Sequence, residues 1–141
     1  MQKNIESVVG KPETFYESLH TLPKIEWVDL RTVYDNRPAA VVTSPTAEMQ
    51  FGPLAGNFNF TDHIAITDGS ATYVDNLRKN KPTVDAMYAV GGGRVIDIAR
   101  LLAHEWNMNI TAIPTIISSD SPFVNSTGVR DNGRKKQTVF F

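Results

Sequence analysis

Two stretches hold the residue types that can handle an anion. The first is Val90-Gly91-Gly92-Gly93-Arg94-Val95-Ile96-Asp97. Three consecutive glycines permit a tight turn with φ values other residues avoid, and they leave the main chain bare toward a ligand. An apolar run at residues 86–90 precedes them and an amphipathic pattern follows, so they stand between a strand and a helix. The first turn of such a helix offers unpaired N–H groups and about half a positive charge. That is a place for a phosphate. The spacing is not G-x-G-x-x-G, whose third glycine falls on Ile96, nor G-x-x-x-x-G-K-[ST]. Glycine-rich strand-to-helix turns also occur where nothing binds, and both readings stand on the glycines alone.

Arg94 and Asp97 lie three apart near the helix start. Asp97 either complements the helix dipole while pairing with Arg94 or Arg100, or acts as a polar hook for a cofactor amide. The second stretch is Ile113-Pro114-Thr115-Ile116-Ile117-Ser118-Ser119-Asp120-Ser121-Pro122. Here a strand ends at a proline and a loop of hydroxyls follows. Thr115, Ser118 and Ser119 can donate to phosphate or ribose oxygens, and Asp120 can accept from a polyol hydroxyl. The same Ser-Ser-Asp-Ser-Pro run also makes a good turn. His20, His63 and His104 are scattered without ligand-like spacing, so they read as structural and no metal site is expected.

Short apolar runs at 39–43, 62–67, 84–90 and 109–114 read as strands. Between them, residues 71–79 and 94–106 carry helical patterns, with Val95, Ile98, Ala99, Leu102 and Trp106 as the core stripe of the second. A weaker helix over 47–54, begun by Ser44-Pro45-Thr46, is interrupted by Gly52-Pro53. Alternation with short links predicts an α/β fold, a Rossmann-like parallel sheet with helices on both faces. Ligands in such sheets sit beyond the carboxyl ends of the strands. Asn132-Gly133 adds a C-terminal β-hairpin over 126–131 and 134–140, whose Arg134-Lys135-Lys136 cluster reads as a solvated edge. Residues 11–22 read as a helix, 24–34 as either a strand or a helical turn, and Asp35-Asn36-Arg37-Pro38 as a turn.

With 141 residues the chain reads as one domain, residues 1–37 being its least defined part. A hydrophobic content of 41% and a net charge of −1 fit a globular protein without a nucleic-acid footprint. No apolar run approaches the about 20 residues of a membrane helix, and no signal pattern opens the chain, so a cytoplasmic protein is expected. There are no cysteines. The apolar ending Val139-Phe140-Phe141 suggests further chain in the native protein.

Taken together, Ala-Val-Gly-Gly-Gly-Arg-Val-Ile-Asp-Ile-Ala-Arg and Ile-Pro-Thr-Ile-Ile-Ser-Ser-Asp-Ser-Pro resemble the iron-containing alcohol dehydrogenase superfamily, which includes glycerol dehydrogenase, glycerol-1-phosphate dehydrogenase and dehydroquinate synthase. The first stretch is similar to that family's G-G-G-[SK]-x-x-D-x-[AG]-K and the second to its P-T-x-x-S-[TS]-D-[AS]-P. The resemblance implies that Gly91, Gly92 and Gly93 hold a dinucleotide pyrophosphate, with Arg94 and Asp97 facing the nicotinamide carboxamide. It implies that Thr115 and Ser118 line the cofactor cleft, that backbone around Val124 and Ser126 closes over it, and that Asp120 contacts substrate hydroxyls. The activity implied is hydride transfer between a secondary alcohol, a polyol or glycerol phosphate, and NAD or NADP, in an enzyme that can be a homo-oligomer. The family often has an acid at the end of its first strand. Here Val41-Val42-Thr43-Ser44-Pro45 has none, which leaves NAD against NADP open. The family's divalent metal, zinc or iron, is held by an aspartate and histidines of a following helical domain, which has no counterpart here. This chain alone is then expected to be inactive. A dehydroquinate-synthase-like cyclase using NAD transiently and a non-catalytic nucleotide-binding module are the alternatives.

Overall fold

The computed structural model describes residues 24–117, Pro122 and the backbone of residues 126–131 and 134–140. The helix expected over 11–22 lies outside the described residues. Four strands form one parallel sheet: β1 (Asp35–Thr43), β2 (Phe58–Ala65), β3 (Ala86–Gly91) and β4 (Ile110–Pro114), in the order β2-β1-β3-β4. The connections carry helices α1 (Pro45–Phe51), α2 (Ala71–Arg78) and α3 (Gly93–Trp106). Two further strands, β5 (Ser126–Asp131) and β6 (Arg134–Phe140), pair antiparallel with each other, while Asn132-Gly133 lies outside the described residues.

Each face of the sheet carries its own core. On one, α2 and α3 bring Val74, Val95, Ile96, Ile98, Ala99, Leu102 and Trp106 against Val42, Met87 and Ala89. On the other, Phe51 from α1 and Leu54 from the 3-10 turn behind it meet Val41, Phe58, Tyr88 and Val90. Alternate residues of β1 and β3 therefore serve opposite layers, which is why both strands read as unbroken apolar runs. Burying each large side chain, such as Leu102 or Ile96, contributes roughly 1.5–3 kcal/mol.

Three boundaries differ from the sequence reading. Asp35-Asn36-Arg37-Pro38 is not a turn but the start of β1. The Asp35 carboxylate accepts from Arg37 and from the Tyr88 hydroxyl at 2.5 Å, so the segment stays extended. Irregular register between Asp35 and Ala39 accommodates Pro38, which cannot donate to a ladder. β2 begins at Phe58 rather than Asp62, because Phe58 and Phe60 alternate inward onto Tyr88, at centroid distances of 5.1 and 5.8 Å. The segment after α1 continues as a 3-10 turn (Gly52–Asn57), since Pro53 has no N–H for an α-helical bond. Of the two readings for residues 24–34 the helical turn is the one found, a 3-10 turn (Leu30–Thr32) capped by Asp29.

Candidate functional site

In the order β2-β1-β3-β4 the chain moves outward from β1 to β2 on one side and from β3 to β4 on the other. The order reverses between β1 and β3, and the crevice beyond their carboxyl ends is where a doubly wound sheet binds ligands. Two segments line this edge: Thr43-Ser44 at the end of β1 and Gly91-Gly92 at the end of β3. Thr43 and Val90 are register partners, so the two exits are adjacent.

The three glycines have different tasks. Gly91 closes β3, and a Cβ added there would lie 2.8 Å from the Val95 Cβ. Its bareness lets α3 pack tightly on the strand. Gly92 is the N-cap of α3 with φ −85° and ψ −172°, and no side chain caps the helix. Among the described residues a Cβ at Gly92 would meet the Ile116 Cγ2, at 3.1 Å. Gly93 is the first residue of α3. The helix thus begins with bare main chain, and among the described residues no side chain caps its first-turn N–H groups, a set that fits a diphosphate.

On the β4 side, the Thr115 N–H donates to the Gly91 carbonyl at 3.1 Å, which fixes the start of the loop after β4 beside the turn. Ile116 and Ile117 follow, both exposed. Ser118, Asp120 and Val124 lie outside the described residues, and Ser126 opens β5. Asp97 sits partly buried on α3 next to Arg100, whose guanidinium burial pushes down from its ordinary value while Asp97 acts the other way. Arg94 is exposed, and its stem runs away from β4. A Cβ at Gly69, in the loop after β2, would lie 3.3 Å from Arg94 Cδ and 3.5 Å from Nε. That loop is held by Asp68, which accepts from the Ser70 N–H at 2.9 Å and from its hydroxyl at 2.6 Å. These bonds lower the Asp68 carboxyl below its usual value, with a smaller contribution from Arg94.

Sequence reasoning missed Gly69, since Asp68-Gly69-Ser70 carries only a turn signal. It also could not place Thr43 beside Gly91, because strand order is not written in strand patterns. His63 is exposed on β2, 3.8 Å from Glu48, and His104 is exposed in the last turn of α3. Among the described residues no three His, Asp or Glu side chains form a group able to hold a metal ion.

A parallel sheet wound to both sides of a switch point, with a glycine turn opening a helix there, defines a Rossmann-like α/β domain. The sequence model of the iron-containing alcohol dehydrogenase family matches residues 58–139. The chain belongs to that family. It is 34% identical over 74 residues to a glycerol-1-phosphate dehydrogenase [NAD(P)+] of Methanococcus maripaludis, covering 50% of this chain and 21% of that protein. A second protein of that name, from Metallosphaera sedula, is 29% identical over 101 residues, with 65% and 29% covered. The fold is shared with a probable glycerol dehydrogenase from Sinorhizobium meliloti, at a TM-score of 0.59 and 20% identity over 74% of this chain and 30% of that one. Glycerol dehydrogenase from Schizosaccharomyces pombe gives a TM-score of 0.53 at 23% identity, over 74% and 28%. The chain therefore spans well under half the length of these relatives.

Proposed function

We propose that this chain is the dinucleotide-binding part of an NAD(P)-linked dehydrogenase acting on a polyol or glycerol phosphate. One observation carries this reading: bare main chain at Gly92 and Gly93, at the switch point of the sheet, opens an uncapped fourteen-residue helix. The names of the relatives, glycerol-1-phosphate and glycerol dehydrogenases, support the substrate class. The N–H groups at the start of α3 bind the pyrophosphate, and Thr115 borders the nicotinamide side of the cleft. Ser118 and the backbone near Val124 and Ser126 complete that side, and Asp120 accepts from the substrate hydroxyls. When bound, the nicotinamide supplies the hydride acceptor and donor. The described residues do not form a metal site, so no step is assigned to a metal ion.

The test is calorimetric titration of the chain with NAD+ and NADP+. Trp106 closes the far end of α3, about 20 Å from Gly92 at 1.5 Å per residue, which makes tryptophan emission a poor reporter. Gly92→Val is expected to abolish binding of both cofactors while leaving the unfolding midpoint nearly unchanged. The φ at Gly92 suits valine, and among the described residues the Ile116 side chain is the one that must shift. A variant that binds as tightly as the parent rules out the phosphate assignment. Asp120→Ala is expected to leave cofactor affinity unchanged, and a large loss would move Asp120 from the substrate to the cofactor.

A further inference from the structure

Arg94 raises a question that the glycine turn does not answer. The second residue of α3 is a cation at the positive end of a helix dipole, a place that favours an anion instead. Among the described residues it enters no hydrogen bond or ion pair. Its charge reaches Asp68, whose carboxylate accepts from Ser70 and is lowered slightly further by Arg94. Its direction is also specific. The stem crosses Gly69, in the loop after β2, and a side chain at Gly69 would crowd it. The head thus lies on the β1–β2 side of the glycine turn, opposite the Thr115 loop that follows β4.

A dinucleotide held by its diphosphate at Gly92 has its two nucleosides on opposite sides of that point. With the nicotinamide toward the loop after β4, the adenosine lies toward the ends of β1 and β2. In doubly wound sheets an acid at this position accepts from the ribose hydroxyls and favours NAD, whereas an arginine nearby accommodates the 2′-phosphate of NADP. The end of β1 reads Thr43-Ser44-Pro45-Thr46, without an acid, and Ser44 is occupied as the N-cap of α1. From this arrangement we infer that Arg94 is a specificity-determining residue whose guanidinium faces the 2′-phosphate of NADP, rather than the nicotinamide carboxamide. The inference rests on the proposed dinucleotide site. Gly69 is a positioning residue, since its bareness lets the stem of Arg94 lie toward the adenosine side.

Arg94→Gln and Arg94→Lys, compared with the parent by calorimetry using NADP+ and NAD+, test this assignment. Arg94 is exposed, so both variants are expected to fold, with circular dichroism as the check. Arg94→Gln should weaken NADP+ about tenfold or more, as loss of a charge-assisted bond to phosphate does, while NAD+ changes by less than about twofold. Arg94→Lys should fall between, keeping the charge but losing the planar fork. Adenosine 2′,5′-bisphosphate should lose affinity in Arg94→Gln and 5′-AMP should not. Equal losses for NAD+ and NADP+, or no loss for NADP+, overturn the role of Arg94 and leave the Gly92 site standing. A parent chain that binds neither cofactor overturns both.

Discussion

Gly91 and Asp35 show how single side chains, or their absence, set the geometry at the two ends of the sheet. At the carboxyl end, Val95 occupies the space that a Cβ on Gly91 would need. Gly91→Ala is therefore expected to destabilise the chain by about 1–3 kcal/mol through overpacking, and Val95→Ala in the same chain should recover part of that loss. Urea unfolding of the two single variants and the double variant checks it; losses that simply add refute the contact. At the amino end, the Asp35 side chain is only 11% exposed and is held well below the usual carboxylate range, first by the Arg37 guanidinium and then by the Tyr88 hydroxyl. Burial and then the hydrogen bond to Asp35 push the Tyr88 phenol up to about 12, so it remains a donor at neutral pH. A lowered carboxyl contributes stability that is present above its unfolded pKa of about 4 and lost as pH falls toward the folded value. Asp35→Asn should cost about 1–3 kcal/mol at pH 7 and flatten the acid side of the stability curve. An unchanged slope between about pH 5 and pH 2 would exclude this pair as its source.

Helix α3 packs along one face of the sheet, and its ends are built for different purposes. The N-terminus is left without a capping side chain beside the cleft, whereas the C-terminus is fastened. Asn107 stops the helix in the left-handed region at φ 53°, the Trp106 indole N–H donates to the Arg78 carbonyl at 3.0 Å, and Lys81 donates to the Trp106 carbonyl at 2.7 Å. Arg78 also pairs with Glu105 at 2.9 Å, joining the end of α2 to that of α3. Asn107→Val should lower stability by about 1–2 kcal/mol because a branched residue resists that backbone, while Asn107→Gly should be neutral or slightly stabilising. Thermal unfolding of the two variants decides it, and equal midpoints would mean that the helix end relaxes to another conformation.

Across the sheet as a whole, β1 and β3 are central and β2 and β4 lie outside them in the four-stranded sheet. Residues 39–43 and 86–91 are buried on both faces, while β2 alternates between covered and exposed positions. Native-state hydrogen exchange should therefore show its slowest amides in β1 and β3, with β2 opening earlier. Amides of β2 that exchange as slowly as those of β3 would contradict the edge position.

Much of this organisation was legible in the residues. The strand-turn-helix around Gly91-Gly92-Gly93, the core stripe of α3 and the alternation of strands and helices are local patterns of period and glycine placement, set by sterics that act within a few residues. The start of β1 was not legible, because Asp35-Asn36-Arg37-Pro38 has turn composition and stays extended through Tyr88, which is remote in the chain. Strand order was equally hidden, since it depends on which apolar faces find each other in space. For the same reason the glycines looked alike in the sequence, and only the packed helix separates Gly91, filled by Val95, from Gly92, open to the cleft. Local chemistry thus identified the bare turn, while long-range packing placed it beside Thr43 and aimed Arg94 across Gly69.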